Sequence, residues 1–366
     1  MSFAFIRHDT NIDFIGRRYW AYGLSIAVLL AGLASAIWGN GLKPGIDFAG
    51  GVIVQLQFKE AVADDALKDV LNVPQLPGIT IQRFGEDGRD YLLRFSSAES
   101  GDAGALRSSI LNILNAKWAD NPVEIQRLEV VGPKIGADLT NKALSALYYA
   151  VLLIAVYISG RFEQRWMAAA IMAGALWGGM YLLSFTPISM GWQVLAALII
   201  TLAVCFYLRL NFALGAIIGL LHDVFITLGL LSILDVEIDL NVMAAILTIV
   251  GYSLNDTIIV YDRLRENLRA DPKKDLAVLI NRSVNQTLSR TILTSGTTII
   301  ATLALFVLGG GVIHDFALTM LIGVVVGTFS SVYVSSAILL TLGDTEFYVR
   351  AQQKEEYEKP GEHGIV

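Results

Sequence analysis

The chain has 366 residues, 54% of them hydrophobic and only 16% charged, where soluble domains carry about 25% charged residues; that balance points to a membrane protein. A net charge of −6 without any basic tract excludes an electrostatic grip on nucleic acid. One cysteine, Cys205, and four histidines exclude a disulfide framework and a cysteine metal site.

The first apolar run, Tyr19–Trp38, is near the length of about 20 residues that crosses a bilayer. "ASA" at Ala34–Ala36 also fits a signal-peptide cleavage site, but Arg17 and Arg18 ahead of a nearly full-length run suit an anchor equally well. Next comes the one sizeable soluble segment, 41–141. "GVIVQLQF" reads as a strand, "AVADDALKDVLN" as a helix, and "GITIQRF" and "DYLLRFS" as strands across the turn "GEDGR". "GALRSSILNILNAKW" is then a helix and "VEIQRLEVV" a strand. Strand, helix, strand, strand, helix, strand is the ferredoxin-like order, a fold that settles no function by itself.

Seven further apolar runs follow: Leu144–Ser159, Met167–Leu183, Trp192–Tyr207, Phe212–Leu234, Val242–Tyr261, Arg290–Leu308 and Ala317–Leu342. Short-loop Lys and Arg set the orientation. With the N-terminus inside, the cytoplasmic side receives Arg17, Arg18, Arg161, Arg165, Arg209 and the loop 263–289, which carries Arg263, Arg265, Arg269, Lys273, Lys274 and Arg282. The opposite loops SFTPIS, LDVEIDL and GGGVIHDF contain neither Lys nor Arg. The expectation is an α-helical polytopic membrane protein with about eight transmembrane helices and one periplasmic α+β ferredoxin-like domain between helices 1 and 2. Residues 1–40 form the cytoplasmic N-terminus and first helix, 142–342 the bundle, and 343–366 a cytoplasmic tail. "AVYISGRFEQRWMAAAIMAGAL" and "AVCFYLRLNFALGAIIGLLHDV" share a pattern of apolar span, basic turn and small-residue span, which suggests a duplicated two-helix hairpin.

Polar residues inside apolar runs mark candidate chemistry, because lipid satisfies no hydrogen bond. Asn255 and Asp256 interrupt the sixth run; an aspartate at mid-depth costs roughly 2.5 to 3.5 kcal/mol on insertion scales. Asp256, Arg263, Tyr252 and Ser253 fall on one helical face. His222 and Asp223 lie mid-run in the fifth span, about 100° apart around the helix, so they need not bond to each other. Arg290, Thr294 and Thr298 follow at i, i+4, i+8 with Thr291 and Ser295 alongside, which makes Arg290 the natural counter-ion for Asp256. Each carries a structural alternative: a satisfied packing hydrogen bond for Asp256, His222 and Asp223, and a snorkelling side chain for Arg290. Gly215 with Gly219, and Gly323 with Gly327, have GxxxG spacing for close packing. Gly45, Gly50 and Gly51 bracket Ile46, Asp47 and Phe48 on a tight, permissive path that opens a strand, so it is not a phosphate loop. No Walker motif or nucleophile constellation is present; energy must come from a gradient or a partner.

"GIDFAGG", "VGPKIGADL", "LLHDVFITLG", "VGYSLNDTIIVYDRLREN" and "NQTLSRTILTSGTT", in order along nearly the whole chain, together resemble SecF, of the SecD–SecF pair in the resistance-nodulation-division superfamily. The resemblance implies a multi-pass inner-membrane protein. With SecD it would use the proton gradient, and no other cofactor, to promote passage of unfolded secretory polypeptide through SecYEG, with YajC and YidC as candidate associates. It carries the proton-pathway aspartate to Asp256 and its arginine to Arg290, with Asn255, His222 and Asp223 beside them. The Gly-Ile-Asp-Phe element falls on Gly45, Ile46, Asp47 and Phe48, followed by Gly50 and Gly51, with Ala49 where Thr is usual. SecF proteins usually have six spans; the extra pair lies in a hairpin at about 166–208, ahead of the His-Asp span. The implied cycle protonates Asp256, weakens its attraction to Arg290, shifts spans six and seven and rocks the external domain. Rival readings are a proton-driven small-molecule exporter, a non-catalytic scaffold for SecD, and an intramembrane hydrolase using Asp256 and Asp223.

Overall fold

The computed structural model describes residues 11–39, 41–73, 76, 78–84, 88–95, 103–163 and 165–342. The tail read as 343–366, residues 1–10 and the centre of the GEDGR turn lie outside them. Helix α1 (Arg18–Trp38) leads into a two-residue strand β1 (Lys43–Pro44) and a single helical turn α2 (Ile46–Ala49). Then come β2 (Gly51–Phe58), α3 (Asp64–Leu71), β3 (Thr80–Phe84), β4 (Asp90–Phe95), α4 (Ala103–Lys117) and β5 (Val123–Val131). The rest is helical: α5 (Pro133–Glu163), α6 (Trp166–Leu183), α7 (Met190–Tyr207), α8 (Asn211–Ile233), a short β6 (Glu237–Ile238), α9 (Leu240–Ala270), α10 (Leu276–Leu308) and α11 (Gly311–Ser330). A π turn, Ser331–Ser335, joins α11 to α12 (Ser336–Leu342).

β2 to β5 make an antiparallel sheet in the order β3-β4-β2-β5, the ferredoxin-like arrangement. Alternation puts Val52, Val54, Leu56 and Phe58 of β2 on one face with Tyr91, Leu93 and Phe95 of β4. Leu67 and Leu71 of α3 and Leu106, Ile110 and Leu114 of α4 close over that face as the domain's own core. The Tyr91 hydroxyl donates to the Val62 carbonyl, and burial pushes the phenol's pKa up, so it stays a donor. The opposite face, with Ile53, Gln55, Leu92 and Arg94, looks onto the helical bundle.

Seven helices among the described residues are long and apolar enough to cross a membrane, counting the α11–α12 run as one; α6 is a shorter apolar helix. Its 18 residues rise about 27 Å, just under the hydrocarbon thickness of about 30 Å, and it packs with α7 against α5. The Arg165 guanidinium donates to the Leu208 carbonyl at 2.7 Å, so the two basic turns of the suspected repeat lie side by side.

Three boundaries differ from the expectation for one reason: hydropathy marks where a helix leaves lipid, not where it ends. Pro133 starts α5 directly after β5, because proline suits the first helical position. The 31 residues of α5 therefore carry the domain into its span without a linker at 141. The loop expected at 263–289 shrinks to residues 271–275: α9 continues to Ala270, and α10 begins at Leu276 with Asp275 accepting from the Ala277 N–H at 3.0 Å. Across that turn the Asn267 amide donates to Ser283 Oγ and Gln286 Oε1 at 2.8 and 2.9 Å.

α8 is the hub, touching α1, α5, α7, α9, α11, the π turn and α12. Both GxxxG pairs work as packing surfaces: a Cβ on Gly219 would meet Ser335 Oγ, and one on Gly323 the Ile249 side chain. A close backbone approach between helices lies elsewhere, where a Cβ on Gly32 of α1 would lie 2.6 Å from the Gly229 Cα of α8. Backbone cannot rotate aside as a side chain can. Gly32→Ala is expected to cost about 1–3 kcal/mol through overpacking, read as a lower thermal midpoint in detergent, whereas Gly23→Ala, with open space around it, is expected to leave the midpoint unchanged.

Candidate functional site

Two buried carboxylates flank α9. On the α8 side His222 Nδ1 lies 2.9 Å from Asp223 Oδ1, and His222 Nε2 lies 2.9 Å from Ser25 Oγ on α1. The pair does bond, which the helical angle left open, because the imidazole is long enough to fold back over the roughly 100° between neighbours. The second oxygen, Asp223 Oδ2, accepts from Ser253 of α9 at 2.5 Å and from Ser330 of α11 at 2.8 Å. Asp223 is wholly buried, and with His222 reaching α1 the pair ties four helices. Gly327 makes room: a Cβ there would meet Ser253 at 3.0 Å and Asp223 Oδ2 at 3.5 Å.

Asp256, three residues after Ser253 and 1% exposed, faces α10 instead. Its Oδ2 is 3.4 Å from Ser295 Oγ, which also lies 2.7 Å from Thr328 Oγ1 of α11; its Oδ1 has no hydrogen-bond partner. Ser253 therefore belongs with Asp223 rather than in one stripe with Asp256. The expected ion pair is also absent: no contact within 4 Å joins Arg290 to Asp256 among the described residues, and Arg290 is exposed. Its charge acts on Asp256 only from a distance. The buried polar row of α10 is Thr287, Thr291 and Ser295, one position round from the expected Arg290, Thr294 and Thr298. The Thr294 and Thr298 hydroxyls bond back to carbonyls of their own helix. Asn255 is exposed, outside the buried network in which it was expected. Arg263, on the extension of α9, pairs with Glu266 at 2.7 Å.

The Gly45–Gly51 connection forms a separate constellation at the domain end of the bundle. β1 pairs parallel with β6, and the Gly45 N–H donates to the Ile238 carbonyl at 2.7 Å. Asp47 Oδ2 accepts from the Leu240 N–H at 3.0 Å, and Asp239 Oδ1 from the Val242 N–H at 2.8 Å. Two carboxylates thus cap the first turn of α9. Burial pushes the Asp239 carboxyl's pKa up, with Asp47 and Asp315 adding to the rise against the hydrogen bonds from Val242 and Asn241. Gly50 and Gly51 take φ of +77° and +142°, which only glycine adopts without strain. A cavity of about 380 Å³ separates the open sheet face from the ends of α9 and α11.

Ser25, Thr328 and Ser330 were not among the expected site residues. The signal for the last two was the run "TFSSVYVSS" at 328–336, hydroxyl-rich for a span and holding the π turn, a feature frequent at functional sites. Asp223→Ala leaves His222, Ser253 and Ser330 without their acceptor. At about 0.6 to 1.7 kcal/mol per interhelical hydrogen bond, the expected loss is about 2–5 kcal/mol, measured as a lower unfolding midpoint in detergent; Ser25→Ala is expected to cost only one such bond.

Comparisons with known proteins bear on the chain's fold and family. The family described as "Protein export membrane protein SecD/SecF, C-terminal" matches residues 113–188 and 188–345, and the "SecD/SecF GG Motif" matches residues 35–62, which include the glycine connection. Protein translocase subunit SecF of Desulfurispirillum indicum is 38% identical over 94% of this chain and 96% of its own length. That of Escherichia coli O157:H7 is 36% identical over 99% and 97%. The crystal structure of SecDF, a translocon-associated membrane protein from Thermus thermophilus, superposes with a TM-score of 0.65 at 29% identity. The match covers 92% of this chain but 39% of that longer one. With its fold, its motifs and full-length relatives in agreement, this multi-pass membrane protein belongs to the SecF family of protein-export membrane proteins.

Proposed function

We propose that the chain is a proton-coupled subunit of Sec protein export. It works with SecD at the SecYEG channel, with YajC and YidC as further associates, to draw unfolded secretory polypeptide across the bacterial inner membrane. It is a transport subunit rather than an enzyme, and the proton-motive force is its energy source. Basic residues gather at one end of the bundle, where Arg161 of α5 pairs with Asp262 of α9. The acidic connection 234–240 and the α+β domain occupy the other. That asymmetry supports cytoplasmic termini and a periplasmic domain.

The observation that carries the reading is the contrast between the two carboxylates. Asp223 has both oxygens engaged, as a structural tie requires, whereas Asp256 keeps one buried oxygen with no partner, a place for a proton. Moving one charge through 100 mV supplies about 2.3 kcal/mol, a bias of tens-fold on a two-state element. A scaffold has no use for a buried acid left open. A lone external α+β domain of about 100 residues offers a small-molecule exporter little room for a substrate-binding region.

The exposed face of α9 and α10 supports the SecD assignment. Thr248, Gly251 and Asn255 on α9 and Arg290 on α10 are exposed at or near membrane depth, where polar groups need protein or water. Gly251 and Gly296 have nothing within 4 Å of an added Cβ, an open small-residue surface of the kind that helix pairs use. A SecD helix seated there would reach Asn255 and Arg290 and complete the site around Asp256.

Asp256→Asn, which keeps size but cannot ionise, is expected to lower gradient-dependent export at least about tenfold, the effect of about 1.4 kcal/mol, with SecD still co-purifying. Unchanged export would sink the proton reading. Asn255→Trp is expected instead to reduce SecD recovery after detergent extraction while the chain itself stays folded.

A further inference from the structure

The start of α9 is fastened to the α+β domain by ties that come from three separate elements. β1 gives main-chain pairing to β6, in the register Lys43 to Glu237 and Pro44 to Ile238. α2 gives the Asp47 cap on the Leu240 N–H. β4, inside the sheet, gives Arg94, whose guanidinium pairs with Glu237. Lys43 adds an ion pair with Asp235 at 2.7 Å. All four land within Asp235–Leu240, the connection that starts the helix bearing Asp256. The same connection leaves α8 at Asp235, in a left-handed conformation with φ of 60°.

We infer that Asp47 and Arg94 are positioning residues that make the domain travel with the outer end of α9, so that a shift of α9 becomes a shift of the sheet. The inference deepens the proton-coupled reading and rests on it for the source of movement. The ties bear on direction as well as strength. Helix hydrogen bonds make α9 stiff along its axis, and Leu240 is 16 positions from Asp256, about 24 Å at 1.5 Å per residue. Displacement at the acid is therefore delivered at the junction. There the domain is held by hydrogen bonds and charge pairs, so it follows α9 unless those ties open. The Asp47 cap satisfies a backbone N–H that would otherwise be orphaned at the helix start, and Arg94 grips the connection directly from the sheet, without passing through α2. Gly50 and Gly51, the left-handed pair between α2 and β2, are where the backbone is free to accommodate the motion.

The test uses the full chain assembled with its partner in cells, with export of a secreted reporter as the readout. Pro44→Cys with Ile238→Cys places two thiols at register partners in neighbouring strands, about 4.8 Å apart and within disulfide reach. It leaves the cap and both ion pairs intact, and the only other thiol, Cys205, is buried. If the junction stays closed through the cycle, the oxidised pair exports within about twofold of its reduced form. Asp47→Ala with Arg94→Ala, at normal protein level and normal SecD recovery, is expected to lower export at least about fivefold. Asp47→Asn, whose amide oxygen still accepts from Leu240, is expected to retain most activity. Loss of export on oxidation, restored by reductant, would show that the domain must part from α9 and would overturn the inference; so would normal export by the double alanine variant. Asp256→Asn run alongside separates the two readings. If it exports normally while the oxidised pair is active and the double variant fails, the junction stands and the proton source falls.

Discussion

Hydrocarbon offers no hydrogen bonds, and the arrangement of the bundle follows from that absence. A carboxylate carried into lipid must find donors on neighbouring helices, and Asp223 finds them on three elements at once: His222 on its own helix, Ser253 on α9 and Ser330 on α11. His222 then reaches Ser25 of α1. Since α8 has almost no amphipathic character to orient it, a hydrogen-bonded acid at its centre supplies the rotational register that a polar face supplies in a soluble helix. Glycines 219, 229 and 327 bring the backbones close enough for those short side chains to meet. Helix packing in lipid relies on such small residues because apolar burial gives no preference for protein over lipid.

The same constraint explains which parts of the molecule were legible beforehand. Strand alternation in Gly51–Phe58 and Asp90–Phe95 and the turn glycines gave the ferredoxin-like order, because a sheet with one buried face writes its period into the sequence. The apolar runs gave the spans, and isolated polar residues within them marked His222, Asp223 and Asp256. Partners were not legible. Whether Asp256 faces Arg290 or Ser295 depends on the rotation of α10 about its axis, and one position of error, about 100°, exchanges the row Arg290, Thr294, Thr298 for the row Thr287, Thr291, Ser295. Ser330 closes α11 just ahead of the π turn, and its bond to Asp223 depends in the same way on the rotation of α11 against α8, which a helical period does not state.

The hairpin of α6 and α7 stands apart from the buried polar sites. It packs on α5 and meets α8 through α7, while the side-chain hydrogen bonds of the His222–Asp223 pair among the described residues go to α1, α8, α9 and α11. A pair of spans preserves the sidedness of everything that follows, whereas a single span would invert it. Its apolar residues need no ligand other than lipid: Met167, Ile171, Trp177, Ile199 and Phe206 are exposed on its outer faces, the normal condition of a membrane surface.

α9 is the element on which the two constellations converge. Ser253 and Asp256 lie about 60° apart on one side of α9 yet meet different neighbours, so a change of partner at Asp256 must respect the bond that Ser253 makes to Asp223. A rotation of α9 about its own axis would strain the Ser253 bond, whereas a tilt of its outer half about that bond would spare it and carry the junction at Leu240 along. Beside Asp256, the buried polar row of α10 contains Thr291, whose hydroxyl has no hydrogen-bond partner. Under the proposed coupling, an acid with an open oxygen beside a row with an open hydroxyl is where a second arrangement would form, the discrete alternative that a coupled element needs.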